Sequence, residues 1–128
     1  MKLAKEPRKI LLVDDETAVL DVTTRMLEML GYKVTATSSS VNALDLFRTD
    51  PDQFDLVITD MTMPNMTGDE LASKIMKIRP GMPVILYSGN GQIITEDIIK
   101  EMGIRKFVQK PANMKDLSET LSMILEVE

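Results

Sequence analysis

Ionisable or hydroxyl side chains follow four of the short apolar runs in this sequence. The run "ILLV" ends in Asp14 and Asp15, and the run "LVIT" ends in Asp60. The runs "VILY" and "FVQ" end in Ser88 and Lys110. Three carboxylates, one hydroxyl and one ammonium group are therefore the first candidates for a chemical site.

Carboxylates that share one site need a compensating positive charge. Two of them about 4 Å apart repel by roughly 4 kcal/mol at an effective dielectric constant of about 20. Because the chain contains neither His nor Cys, the available ligands are hard oxygens, which suit Mg²⁺ or Mn²⁺. A carboxylate beside such an ion can attack phosphorus and form an aspartyl phosphate. Lys110 would supply further positive charge, and Ser88 would donate a hydrogen bond to a phosphoryl oxygen.

Short apolar runs alternate with longer stretches in which apolar residues recur every three or four positions. The short runs predict β-strands at Lys9–Val13, Lys33–Thr37, Leu56–Thr59, Val84–Tyr87 and Lys106–Gln109. The longer stretches predict helices at Glu16–Leu30, Ser39–Thr49, Gly68–Ile78, Thr95–Met102 and Asn113–Val127. This alternation indicates an α/β fold, a parallel sheet with helices on both faces.

The carboxyl ends of parallel strands meet at one edge of a sheet, and ligands bind beyond that edge where the strand order reverses. Four of the predicted strands would bring the acids, the hydroxyl and the lysine to this edge. The second strand ends in "TSSS", which carries no ionisable group. The convergence of four strand ends, rather than any single dipeptide, predicts the site.

Composition excludes several classes of protein. The 128 residues suffice for one domain with a single core. A net charge of −5 without a basic stripe argues against direct binding of nucleic acid or of a membrane surface. No apolar run approaches the roughly 20 residues of a membrane span, and from the charged start "MKLAKEPRK" we expect no signal peptide. We expect a cytoplasmic protein without membrane insertion, with a flexible tail at residues 1–7 and one domain at residues 8–128.

The chain resembles the response-regulator receiver domain of two-component signalling, from about Lys9 to Leu125. The matching elements are Asp14-Asp15, the run "DLVITDMTMPNMTG" with Asp60, the Ser88 hydroxyl, Phe107 and Lys110-Pro111. The resemblance implies a CheY-like, flavodoxin-like fold of five parallel strands in the order 2-1-3-4-5.

The resemblance also implies a role for each matching residue in a Mg²⁺-dependent phosphoacceptor switch. Asp60 would accept the phosphoryl group, and Ser88 and Lys110 would bind it. The implied metal ligands are Asp15 directly, Asp14 through water, Asp60 and the backbone carbonyl of Thr62. Phe107 would be the switch aromatic whose rotamer follows Ser88, and the Lys110–Pro111 peptide bond would be cis.

The partners implied by the resemblance are proteins. A histidine kinase or a histidine phosphotransfer domain would donate the phosphoryl group from a phosphohistidine, and a downstream output protein or domain would respond. The chain would be either a stand-alone response regulator or the receiver of a longer protein such as a hybrid histidine kinase. It would be a signalling domain rather than an enzyme, capable only of its own dephosphorylation.

Three features depart from the family pattern. Ser88 stands where Thr is commoner, and it should still donate a hydrogen bond. Phe107 stands where Tyr is commoner, so it lacks a phenolic hydroxyl, and ordinary core packing is an equally open interpretation. "SGNG" stands where Ser/Thr-Ala is usual, and the glycines of Gly89–Gly91 predict a mobile loop.

The first predicted helix carries two apolar stripes. The first stripe consists of Thr23, Leu27 and Leu30, with Leu20 beside them. The second consists of Ala18, Val22, Met26 and Met29. One stripe suffices for the core. We interpret the second, centred on Ala18, Val22 and Met26, as a docking surface for a helical phosphodonor. A broad buried face is the alternative interpretation.

Other function classes fit the residues less well. A small phospho-aspartyl phosphatase or phosphotransferase would want a second acid two residues after the nucleophile, where this chain has Thr62. A flavodoxin-like module would bind the phosphate of its cofactor after the first strand, where Asp14, Asp15 and Glu16 would repel it. A pseudo-receiver used only for protein interaction would not need the complete set of acids, hydroxyl and lysine.

Overall fold

Strands and helices alternate along the chain, which a computed structural model describes over residues 8–89, 96–110 and 113–125. The strands are β1 (Lys9–Val13), β2 (Lys33–Thr37), β3 (Leu56–Asp60), β4 (Val84–Ser88) and β5 (Lys106–Gln109). The helices are α1 (Thr17–Met29), α2 (Ser40–Thr49), α3 (Gly68–Ile78), α4 (Glu96–Met102) and α5 (Met114–Leu125). The predicted tail at residues 1–7 and the predicted end of the last helix at Val127 lie outside the described residues. The predicted start of the fourth helix at Thr95 also lies outside them, and each remaining predicted boundary agrees with the structure to within one residue.

The five strands form one parallel sheet in the order β2-β1-β3-β4-β5. The predicted α/β fold and strand order are therefore confirmed. From β1 the chain moves outward to β2, then crosses to β3 on the other side of β1, where Leu11 pairs with Val57. The order reverses between β1 and β3, so the carboxyl ends of these two strands border the crevice in which such sheets bind ligands.

Helices cover both faces of the sheet and create two apolar clusters. The α2–α3 cluster includes Leu11, Val13, Val57 and Leu86 from the strands with Phe47, Leu71 and Ile75 from the helices. The α1–α5 cluster includes Ile10, Leu12, Ile58, Ile85 and Tyr87 from the strands with Leu20, Leu27, Leu117 and Leu121 from the helices. Alternate residues of each central strand enter opposite clusters, which explains why these runs are apolar at successive positions. Each buried aliphatic side chain contributes roughly 1.5–3 kcal/mol by leaving water.

Local polar contacts fix the starts of three helices. The Ser39 hydroxyl accepts a hydrogen bond from the Asn42 amide, and the Asn113 side chain accepts one from the Asp116 amide. Thr67 begins α3 with a reciprocal capping box in which Glu70 accepts from the Thr67 amide. These bonds satisfy amides that have no partner within the helix, and each cap is worth about 1 kcal/mol.

Candidate functional site

Three carboxylates meet beyond the carboxyl ends of β1 and β3. Asp14 and Asp15 follow β1 directly, and Asp60 is the last residue of β3. One ligand oxygen from each of the three lies within 4.8 Å of the others. Asp14 is fully buried and Asp60 is 5% exposed, whereas Asp15 faces solvent. The fold thus brings together the three acids that the strand ends had singled out.

The ammonium group of Lys110 reaches into this cluster from the end of β5. Its Nζ lies 2.8 Å from Asp14 Oδ2, 3.3 Å from Asp60 Oδ2 and 3.3 Å from Glu16 Oε1. The other oxygen of Asp14 accepts a hydrogen bond from the Glu16 amide at 2.9 Å. The Lys110 amide donates to the Ser88 carbonyl at 3.1 Å, which ties the lysine to β4. One largely buried ammonium group therefore bridges Asp14, which follows β1, and Asp60, which ends β3.

Burial and charge shift the ionisation of these groups in opposite directions. Burial raises the pKa of Asp60 to about 6, with Asp14 adding to the rise and Lys110 partly opposing it. Burial alone would lower the pKa of Lys110, but the hydrogen bond and charge of Asp14, with the charge of Asp60, raise it overall. At neutral pH Lys110 stays charged, and Asp60 is mostly ionised.

Ser88 presents a buried hydroxyl at the end of β4. The residue is 3% exposed, and its Oγ has no hydrogen-bond partner within the described part of the chain. A buried hydroxyl without a partner costs about 1–3 kcal/mol. An orphan donor at the same edge of the sheet as Asp60 and Lys110 is suited to a ligand oxygen, and such exceptions are typical of functional sites.

The donors at this edge fit a hard cation together with an anion. Carboxylate oxygens of Asp14, Asp15 and Asp60 are the ligand type that Mg²⁺ and Mn²⁺ prefer. The Lys110 ammonium and the Ser88 hydroxyl are donors that suit phosphoryl oxygens. The arrangement can therefore hold a divalent cation and a phosphoryl group next to the Asp60 carboxylate.

Gly68 fixes the backbone beneath Asp60. Its amide donates to the Met61 carbonyl at 2.8 Å. A Cβ at this position would overlap the carbonyl oxygen of Asp60 and lie 2.9 Å from the Cα of Met61. The close approach requires glycine, and it holds the start of α3 against the end of β3.

The sequence matches the family described as "Response regulator receiver domain" over residues 10–122. The match includes all the strand ends that form the site. The chain belongs to this family. Membership of the family accounts for the fold, a five-stranded parallel sheet in the order β2-β1-β3-β4-β5.

Relatives and solved structures agree with the family. The receiver domain is 32% identical over 124 residues to the transcriptional regulatory protein GlrR of Escherichia coli (strain K12), a match that covers 97% of this chain and 28% of that protein. It is 37% identical over 117 residues to the DNA-binding transcriptional regulator NtrC of Azospirillum brasilense, a match that covers 91% of this chain and 24% of that protein. A crystal structure of a response regulator receiver domain protein from Clostridium thermocellum has a TM-score of 0.87 at 34% identity. The match covers 93% of this chain and 94% of that one. The chain spans about a quarter of the length of these two curated relatives.

The structure also places other residues that were predicted for the receiver domain. Phe107 is half-buried on β5, opposite Leu86 in register, and packs against the α2–α3 cluster. This placement is compatible with core packing and with switching. Thr62 is exposed in the loop after β3. The Lys110–Pro111 peptide bond and the loop after Gly89 lie outside the described residues.

The two stripes of α1 differ in burial, as the docking interpretation requires. Thr23 and Leu27 are buried, whereas Val22 is 57% exposed. Val22 and Met29 are exposed, whereas Met26 is half-buried against the α1–α5 cluster, so the second stripe is buried only in part. Part of the exposed stripe lines a cavity of about 300 Å³, here called the α1 groove. Its lining residues are Ala18, Val19, Val22, Thr23, Met26, Tyr87 and Lys110.

Sequence reasoning did not assign Glu16 and Tyr87 to the site. Glu16 forms an ion pair with Lys110, and its position directly after Asp14-Asp15 was a signal for it. Tyr87 contacts Lys110 through its ring and Thr23 through its hydroxyl. In sequence it is only one more apolar residue of a buried strand, so no pattern pointed to it.

Among the described helices, none combines the length and apolar character that crossing a membrane requires.

Proposed function

We propose that this receiver domain is a Mg²⁺-dependent phosphoacceptor and that Asp60 is the residue that accepts the phosphoryl group. The observation that carries the proposal is the meeting of Asp14, Asp15 and Asp60 within 4.8 Å, with Lys110 bridging two of them. Asp60 is the central member, because it ends β3, the strand between β1 and β4, and Lys110 lies 3.3 Å from it. Its neighbours supply what a carboxylate nucleophile needs to attack an anionic phosphorus centre.

In the proposed reaction, a carboxylate oxygen of Asp60 forms a bond to the phosphorus of a partner's phosphohistidine. The P–N bond breaks, its electron pair stays on the imidazole nitrogen, and that nitrogen takes up a proton from water. The Lys110 ammonium neutralises charge on the transferring oxygens, and the Ser88 hydroxyl donates a hydrogen bond to one of them. Asp14, Asp15, Asp60 and the Thr62 carbonyl would hold Mg²⁺, or Mn²⁺ in its place. The cation supplies charge neutralisation between the two anionic reactants.

The signal follows from the new charge at Asp60. A phosphoryl group there offers acceptor oxygens to the unpartnered Ser88 hydroxyl and to Lys110, which favours one of two pre-existing conformations. Movement of Ser88 would open or fill the space beside Phe107 on the neighbouring strand. Phe107 is therefore the proposed switch aromatic, acting by packing alone because it lacks a hydroxyl.

The proposed phosphodonor is a histidine kinase or a histidine phosphotransfer domain that docks a helix in the α1 groove. Ala18, Val22 and Met26 offer it an apolar surface directly beside Lys110. The two curated relatives are named as regulators of transcription, and this chain matches only about a quarter of each. We propose that the domain acts in the cytoplasm, alone or within a longer protein, and that any contact with DNA belongs to a separate output domain.

Intact-mass spectrometry after incubation with acetyl phosphate and Mg²⁺ tests the function. We expect the gain of one phosphoryl group, its prevention by EDTA and its loss in Asp60→Asn. Asp45→Asn, which changes an exposed acid on α2, is the matched control and should be modified like the wild type. Sustained release of phosphate at a constant rate would indicate a phosphatase. A chain that gains no mass under any of these conditions would indicate a pseudo-receiver.

A further inference from the structure

Tyr87 lies beside the acceptor carboxylate, at the end of β4. It pairs in register with Asp60 of β3, so the two side chains emerge side by side on the same face of the sheet. The tyrosine is 2% exposed and belongs to the α1–α5 cluster. A large aromatic ring therefore forms one wall of the site.

The ring of Tyr87 contacts the ammonium group of Lys110. The distance from Nζ to the ring centroid is 4.8 Å. An aromatic face attracts a cation at this range, and the attraction strengthens where water is excluded. Asp14 and Asp60 hold the same ammonium group at 2.8 and 3.3 Å. Carboxylates and a ring thus restrict Lys110 together.

The hydroxyl of Tyr87 is anchored to α1. Its oxygen lies 2.9 Å from the hydroxyl oxygen of Thr23 in a buried hydrogen bond. Burial raises the pKa of Tyr87 to about 12, and the charge of Asp14 adds to the rise, so the hydroxyl keeps its proton. Thr23 is itself part of the α1 groove, beside Val22. A contact chain leads from the groove through Thr23 and Tyr87 to Lys110.

We propose that Tyr87 is a positioning residue for Lys110. Its ring holds the ammonium group where this group can contact both Asp60 and an incoming phosphoryl group, and the bond to Thr23 fixes the ring. The inference rests on the proposed phosphoacceptor function and deepens it. It connects the surface on which a phosphodonor docks to the lysine that receives the phosphoryl group.

Side-chain NMR tests the contact without any phosphorylation. The ring current of Tyr87 should shift the ε-methylene protons of Lys110 upfield in the wild type. Tyr87→Leu is expected to return them towards the position of an exposed lysine, and Tyr87→Phe, which keeps the ring but loses the bond to Thr23, to keep part of the shift. Tyr32→Leu is the matched control, because Tyr32 is buried in the same cluster but precedes β2 at the opposite edge of the sheet. A Lys110 signal that does not respond to Tyr87→Leu overturns the inference.

A double-mutant cycle tests whether Tyr87 acts through Lys110. We expect Tyr87→Leu to lower the rate constant for phosphorylation by acetyl phosphate about fivefold, the size of one cation–π contact. The same replacement should cost nothing further in a Lys110→Met chain, and Tyr87→Phe should recover part of the loss, because it restores the ring without the bond to Thr23. Equal losses with and without Lys110 would show that Tyr87 only stabilises the fold.

Further outcomes separate this inference from the proposed function. A wild type that gains no phosphoryl group refutes the phosphoacceptor function. A wild type that is phosphorylated normally, with Tyr87→Leu at the same rate, refutes the positioning role alone. If Tyr87→Leu does not fold, Thr23→Val decides, because it removes the anchoring bond at nearly constant volume. It is expected to shift the Lys110 signal, and an unchanged signal would count against the inference.

Discussion

Replacing Asp60 by Asn should stabilise the metal-free protein, because the native carboxylate is ionised in a place that disfavours its charge. Burial raises the pKa of Asp60 from its ordinary value of 3.8 to about 6, with Asp14 adding to the rise. One pKa unit corresponds to about 1.4 kcal/mol, so ionising Asp60 costs about 3 kcal/mol more in the folded protein than in the unfolded chain. Asn has nearly the same shape and carries no charge.

The sign of the effect fixes its pH dependence. Because the folded protein holds the Asp60 proton more tightly, the favourable contribution is complete below pH 3.8 and is lost as the pH rises through 6. The gain from Asp60→Asn should therefore be about 3 kcal/mol at pH 8 and about half of that at pH 5. In the variant, Lys110 keeps its shorter contact with Asp14, so its largely buried ammonium group is not left without a negatively charged partner.

Urea unfolding in the presence of EDTA at both pH values measures these free energies. Asp45→Asn serves as the control for removing one negative charge from the surface. A variant no more stable than the wild type at pH 8 would refute the explanation. So would an equal gain at pH 5 and pH 8, because a gain independent of pH cannot come from the ionisation of Asp60.

Four further predictions concern the cation, the two glycines and the docking surface. Adding Mg²⁺ should raise the free energy of unfolding of the wild type by RT ln(1 + [Mg²⁺]/Kd). The difference in free energy of unfolding between the wild type and Asp60→Asn should therefore become smaller. Repeating the urea series with Mg²⁺ measures this difference, and a constant difference would contradict the prediction. Gly68→Ala should destabilise the fold by about 1–3 kcal/mol, and an unfolding curve like that of the wild type would contradict this. Gly89→Ala places a Cβ 2.9 Å from the Cβ of Lys110 and should slow phosphorylation by up to about tenfold. Mass spectrometry measures that rate, and a wild-type rate would contradict the expectation. Val22→Glu combined with Met26→Glu should slow transfer from a cognate phosphodonor protein far more than phosphorylation by acetyl phosphate, and equal effects on the two rates would argue against docking in the α1 groove.

The order of elements and the membership of the acidic cluster were determined by the sequence alone. The runs "ILLV", "LVI" and "VIL" are apolar at successive positions because β1, β3 and β4 are covered on both faces. That pattern located the strands to within one residue. Once the strands are parallel, their carboxyl ends must lie along one edge, so the residues that follow them could be placed together without coordinates.

Contacts that join distant parts of the chain were decided only by the tertiary structure. Thr23 and Tyr87 are 64 residues apart, and Glu16 and Lys110 are 94 apart. Periodicity shows which residues share a face of a strand or helix, but it does not show what covers that face. A buried tyrosine therefore looks like any core residue until packing places an ammonium group over its ring and a threonine at its hydroxyl.

The two stripes of α1 show the same division. Their spacing could be read from the sequence, whereas their burial depends on how the helix rotates against the sheet. Packing turned Thr23 and Leu27 inward and left Val22 and Met29 exposed. The close approach of Gly68 to the Asp60 carbonyl likewise exists only because α3 begins directly against the end of β3. Chain order determines which groups can meet, and the packing of helices on the sheet determines which of them touch.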